Sequence, residues 1–89
     1  MSWSINYSSQ AQKFLKKNPA HSDHLKESLR LFVKKLTGEV VSLDVDKMKG
    51  EWKGHIRIRK GGIRMIISVD EDLMFIHVKV IDFRGNVYK

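Results

Sequence analysis

Cysteine is absent from this 89-residue chain, proline occurs once, and acids are outnumbered, with 10 Asp and Glu against 17 Lys and Arg. Without cysteine there is no disulfide framework, thiol nucleophile or cysteine-ligated zinc, a pattern that suits a reducing cytosol. A membrane-spanning helix needs about 20 consecutive apolar residues, and no uninterrupted run approaches that length. Met1 to Tyr7 has neither the basic nor the apolar stretch of a signal peptide. The expectation is a soluble, cytoplasmic protein. The patterns HExxH and DxDxDG are missing, which leaves a metal site unsupported; GxGxxG and GxxxxGK[ST] are missing too, which leaves nucleotide-cofactor folds unsupported. The length points to one domain over residues 1–89, because a chain this short buries only about two-thirds of its unfolded surface.

The composition that remains is 42% hydrophobic and 30% charged, ordinary for a globular protein, with a formal net charge of +7. That excess favours a polyanionic partner, nucleic acid first and an acidic protein segment second. The same charge also serves solubility.

Trp3, Ile5 and Tyr7 alternate with Ser4 and Asn6, the period of a half-buried first strand. Ser9 and Gln12 have capping-box spacing, followed by Ala11, Phe14 and Leu15 at helical intervals. Asn18-Pro19 interrupts this helix and starts another, with Asn18 as cap and Pro19 at the first helical position. Leu25, Leu29, Phe32, Val33 and Leu36 form one apolar stripe along the second helix, and Gly38 is its stop. His21 and His24 precede the stripe and are expected at the surface. Residues from Glu39 to Gly50 read as a loop anchored by Val40, Val41 and Leu43.

From there the period switches to two. Gly61-Gly62 is a hairpin signal, since both positions tolerate positive φ. Pairing Lys60 with Ile63 sets Arg59 opposite Arg64, Ile58 opposite Met65, Arg57 opposite Ile66 and Ile56 opposite Ile67. A second turn at Glu71-Asp72 would set Met74 opposite Val69, Ile76 opposite Ile67, Val78 opposite Met65 and Lys79 opposite Arg64. One face is then Ile56, Ile58, Met65, Ile67, Val69, Met74, Ile76 and Val78, which a one-residue slip would destroy. The expected fold is α+β: two N-terminal helices packed on one face of a twisted, largely antiparallel sheet of about four strands. The run from Ile81 to Lys89 ends in a short strand at Val87-Tyr88 or a structured tail.

The opposite face carries a row of Arg59, Arg64 and Lys79, with His77 and Arg57 in the next. The interval Lys47 to Arg64 holds Lys47, Lys49, Lys53, Arg57, Arg59, Lys60 and Arg64 against the single acid Glu51. Arginine forks bind phosphate and stabilise charge growing on phosphoryl oxygens, so the row suits a nucleic-acid backbone. It also suits a solvated strand face whose charges deter edge pairing. Arginine cannot exchange protons near neutral pH, which leaves Tyr88, His77 and His55 as the titratable side chains nearest the row, while Asp82 can pair with Arg84. A phenol among guanidinium groups has its pKa lowered; alternatively, Tyr88 packs its ring under the sheet.

Met48-Lys49-Gly50, then His55-Ile56-Arg57-Ile58-Arg59-Lys60-Gly61-Gly62-Ile63-Arg64-Met65-Ile66, then a strand ending in Asp82-Phe83-Arg84-Gly85-Asn86-Val87-Tyr88, together resemble the RelE/ParE superfamily of type II toxins, specifically its RelE-like branch. The resemblance covers nearly the whole chain. It implies a microbial-RNase-type fold and a ribosome-dependent, metal-independent mRNA endonuclease that cuts in the A site and inhibits translation. The implied partners are mRNA on the ribosome, with contacts to 16S rRNA, and a cognate antitoxin; no cofactor, metal, small molecule or membrane is implied. By resemblance Arg64 stabilises the phosphate, Arg84 is the second arginine and Tyr88 the general base. Two lysines typical of the branch fall at His55 and Arg57. Arg57 keeps the charge, and His55, His77 or water would protonate the leaving oxygen. Ile63 stands where the family often has Tyr, and Phe83 where some branches have His. Phosphate-holding groups are then Arg57, Arg59, Lys79, Lys53, Lys49, Lys60, His55 and His77. The alternatives are a ParE-like DNA gyrase inhibitor without RNA chemistry and a non-catalytic RNA-binding module.

Overall fold

Helix α1 (Ser9–Lys17) is capped by Ser8, one residue before the expected cap: the Ser8 hydroxyl accepts the Ala11 N–H at 3.1 Å. Gln12 donates its side-chain amide to the Tyr7 carbonyl instead of closing a capping box. Helix α2 (Pro19–Leu36) begins at the proline as expected. Asn18 contributes no side-chain cap to it, because its amide donates back to Phe14 at the end of α1. Gly38, at φ 97°, follows the Thr37 cap and ends α2. This computed structural model describes residues 2–83; the expected strand at Val87-Tyr88 lies outside them.

The strands are β1 (Ser4–Tyr7), β2 (Asp44–Lys47), β3 (Ile56–Lys60), β4 (Ile63–Asp70) and β5 (Phe75–Phe83), with a 3-10 turn at Gly50–Trp52. They form a single five-stranded sheet in the order β1-β5-β4-β3-β2, antiparallel except for the β1–β5 pair. The strand absent from the sequence reading is β2. Its residues, Asp44-Val45-Asp46-Lys47, were expected within a loop, and Val40 in that loop is fully exposed instead of anchored.

The β3–β4 hairpin has the expected register throughout, from Lys60 opposite Ile63 to Ile56 opposite Ile67. Gly61 at its turn takes φ 59°, a conformation costly for a residue with a Cβ. The β4–β5 register differs. Glu71 to Met74 make a four-residue turn, so Asp70 pairs with Phe75, Val69 with Ile76 and Ile67 with Val78. The turn is longer because Asp70 accepts the Leu73 N–H at 3.0 Å and Met74 swings to φ 53°. A shift of two keeps every side chain on its face. The register then changes again, with Ile66 opposite Val80, which leaves Lys79 as the extra residue of a bulge.

The bulge brings Ile81 into the core and Asp82 onto the other face. Past the end of β1, the outer edge of β5 is satisfied by α1: Ser8 donates its hydroxyl to the Lys79 carbonyl at 2.6 Å. Gln10 both donates to the Ile81 carbonyl and accepts its N–H, at 2.6 and 2.9 Å. The core lies between helices and sheet and contains Ala11, Phe14, Leu25, Leu29, Phe32, Ile58, Ile63, Met65, Ile67, Ile76, Val78 and Ile81. Met74, expected on that face, sits in the turn. No helix among the described residues is long and apolar enough to cross a membrane.

Leu29 is fully buried, so Leu29→Ala should cost about 2–5 kcal/mol in urea unfolding. Ser8→Ala removes a helix cap and a β5 edge bond together, and should cost at least the ~1 kcal/mol of a lost cap. An unchanged midpoint for Ser8→Ala would show that neither bond matters.

Candidate nucleic-acid interface

Strand alternation sends Arg57, Arg59 and Arg64 to the face away from the helices. Successive pairings give a cross-strand row Asp44–Arg59–Arg64–Asp82 and a second row Asp46–Arg57–Ile66–Val80. The first row was expected to be three cations ending in Lys79. The longer turn and the bulge together displace Lys79, which is exposed, and set Asp82 opposite Arg64. The other end carries the acid of an unpredicted strand.

Asp44 and Asp46, on the unpredicted strand, engage the arginines. Arg57 donates to the Asp46 carboxylate at 2.7 Å, and Arg59 donates to Asp44 at 2.8 Å and lies 3.2 Å from Asp46. The hydrogen bond from Arg57, reinforced by the fields of Arg59, Arg57 and Arg64, holds the Asp46 carboxyl below its ordinary 3.8. Hydrogen bonding to Asp44 likewise raises Arg59, so it remains a cation. Arg64 is partly buried beside them and makes no ion pair among the described residues. The uniform basic face expected from the sequence is therefore an arginine pair matched by carboxylates, with Arg64 next to it.

One step before Arg57 in the alternation, His55 continues β3 onto the same face, and its carbonyl accepts the Met48 N–H at 3.0 Å. Its ring meets Trp52 edge-on at 5.2 Å, and its Nδ1 is buried without a hydrogen-bond partner among the described residues. Lys47, Lys53 and His55 line a cleft of about 430 Å³ with Met48, Gly54 and Ile56. Lys49 and Lys53 flank the 3-10 turn and are exposed. His77 lies on the same face of β5, opposite Ser68 and Asn6, with its ring nearly parallel to Phe75. Lys60 is not brought to this face. It lines a cleft of about 310 Å³ with His21 and His24 of α2, both exposed as expected. Arg84 and Tyr88 lie outside the described residues. The other tyrosine, Tyr7, is partly buried on the helix side, where burial raises its phenol.

The acids that reasoning from sequence missed had a signal. Leu43-Asp44-Val45-Asp46 alternates as cleanly as β3 does, but two acids within four residues weigh against a strand. They lie immediately before the basic interval that begins at Lys47.

The fold is similar to that of chains in solved toxin and toxin–antitoxin structures. RelE in the archaeal RelE–RelB complex from Pyrococcus horikoshii OT3 is 29% identical, with 98% of this chain and 100% of that chain covered and a TM-score of 0.68. A YafQ mutant from E. coli gives 15% identity, coverage of 99% and 100%, and a TM-score of 0.75. The RelBE2 toxin–antitoxin complex from Mycobacterium tuberculosis gives 16% identity, coverage of 94% and 100%, and a TM-score of 0.71. This chain has the RelE-like toxin fold. No family model and no curated relative matches it. The RelE-like fold presents the arginine face as one open side of the sheet, with the helices on the other.

Asp46 has a depressed carboxyl, so its contribution to stability is full above its ordinary 3.8 and fades as pH falls toward the lower folded value. Asp46→Asn should therefore lower the unfolding midpoint at neutral pH and converge with the unsubstituted protein in acid. A pH-independent difference would mean that the ion pair does not contribute.

Proposed function

We propose that this chain is the toxin of a type II toxin–antitoxin pair and acts as a ribosome-dependent mRNA endonuclease. The observation that carries this reading is the arginine face on a RelE-like fold, with 29% identity to an archaeal RelE over nearly the whole chain. In the proposed reaction the ribose 2′-hydroxyl attacks the adjacent phosphorus. A 2′-O–P bond forms, the P–O5′ bond breaks, and the products are a cyclic phosphate and a 5′-hydroxyl. Arg64 lies against the phosphate and takes up the charge that develops on its oxygens. Tyr88 accepts the 2′-hydroxyl proton, and Arg84 stabilises the phenolate and the transition state. His55 or His77, both on the face of Arg57, returns a proton to the leaving oxygen.

The lysines at 49 and 53 follow the message backbone and the 16S rRNA around it. No metal or cofactor has a role in these steps. The cognate partner is an antitoxin, as in the complexes of RelE with RelB and of YafQ with DinJ. The charge of the arginine and lysine face suits an acidic or amphipathic antitoxin segment that folds as it binds.

Induction of the chain in bacteria without an antitoxin should arrest growth and cut translated messages. Arg64→Ala and Tyr88→Phe should each relieve the arrest, with cleavage lowered by about 10²-fold or more, the scale of a lost charge-stabilising or proton-transfer group. Primer extension on a translated message reads this directly. Intact messages from a folded, induced protein would reject the reading, and DNA damage with intact messages would favour gyrase inhibition.

A further inference from the structure

Two acids on an edge strand stand in register with two arginines: Asp44 opposite Arg59 and Asp46 opposite Arg57, with charged contacts of 2.7, 2.8 and 3.2 Å. Nothing in strand geometry requires this pairing. The alternation that places Val45 toward the helices fixes only that residues 44 and 46 face the other way, and any polar residue would satisfy it. Partly exposed ion pairs add only modestly to stability, so stability alone leaves the doubled, in-register pairing without a full account. Its electrostatic consequence is direct. A phosphate arriving at Arg57 or Arg59 meets a guanidinium already bonded to a carboxylate, and the nearby Asp repels it. Arg64 and the lysines at 49 and 53, which flank the 3-10 turn, make no ion pair among the described residues.

We propose that Asp44 and Asp46 set the specificity of this face by holding Arg57 and Arg59 as internal ion pairs, so that an isolated RNA strand is gripped only through Arg64 and the lysines. The inference rests on the reading that the face takes RNA phosphates. It adds that the face is built to bind free RNA weakly. Engagement of Arg57 and Arg59 is then reserved for a substrate held in place by other contacts, which compensate for displacing the carboxylates. Asp44 and Asp46 are positioning residues, since they act through the arginines.

The test uses the full chain and a short fluorescent 2′-O-methyl RNA strand, which cannot be cleaved, with binding followed by anisotropy over a series of salt concentrations. Each phosphate contact on a single strand contributes about 0.7 to the slope of log affinity against log salt. Asp44→Asn/Asp46→Asn should steepen the slope by about 1.4 and tighten binding at low salt by on the order of tenfold. Asp46→Asn alone should give about half the slope change, and serves if the double variant fails to fold. Asp46→Glu, which keeps the charge, should follow the unsubstituted protein.

In an Arg57→Ala/Arg59→Ala background the Asn substitutions should have no effect on the slope. A persistent gain there would mean a general change in net charge and would overturn the proposal. Equal slopes with and without the aspartates would overturn it, as would the absence of RNA binding by the Asn variants. Because the probe is inert and no ribosome is present, these outcomes are independent of whether messages are cut in cells.

Discussion

The alternation that begins at the Lys60–Ile63 pair carries both the core and the charged face, because in a strand each residue is committed to one side or the other. Ile58, Met65 and Ile67 go toward the helices and are fully buried, while Arg57, Arg59 and Arg64 go away from them. A slip of one residue would bury three guanidinium groups and expose the core together. The Gly61-Gly62 turn, with Gly61 in the left-handed region, holds that register at its origin. From there it spreads outward: β2 inherits it through Val45 opposite Ile58, and β5 through Ile67 opposite Val78.

Helix α1 does more than cover the sheet. Beyond the four-residue β1, the far half of β5 would present an unpaired edge, and buried backbone groups without partners are costly. Ser8 and Gln10 supply those partners from the first turn of α1. The same contacts hold the bulge at Lys79, past which Asp82 stands opposite Arg64 in the ladder. A helix cap on one side of the sheet thereby helps to set the charge pattern on the other.

That pattern separates two properties that net charge merges. The long-range field of a +7 protein attracts polyanions, whereas short-range binding depends on which cations have a carboxylate in contact. Arg57 and Arg59 have one and Arg64 does not among the described residues. A fold with 89 residues has little interior for a built pocket, so its charged groups are displayed on an open sheet face and in shallow clefts such as the one lined by Lys53 and His55.

Local signals in the chain were enough for β1, the two helices and the β3–β4 hairpin, because each rests on an interaction between residues near in sequence: the apolar stripe from Leu25 to Leu36, Pro19 at a helix start, and two glycines at a turn. These also settled that Arg57, Arg59 and Arg64 share a face. The structure alone decided what meets those arginines. Asp44 and Asp46 are distant from Arg59 and Arg57 along the chain and pair with them only once β2 joins the sheet. Asp82 replaces Lys79 because of a longer turn and a bulge, the bulge anchored by side chains 71 residues away. Register within a hairpin is a local property, but the counter-charge of a face is set by strands that the whole fold brings together.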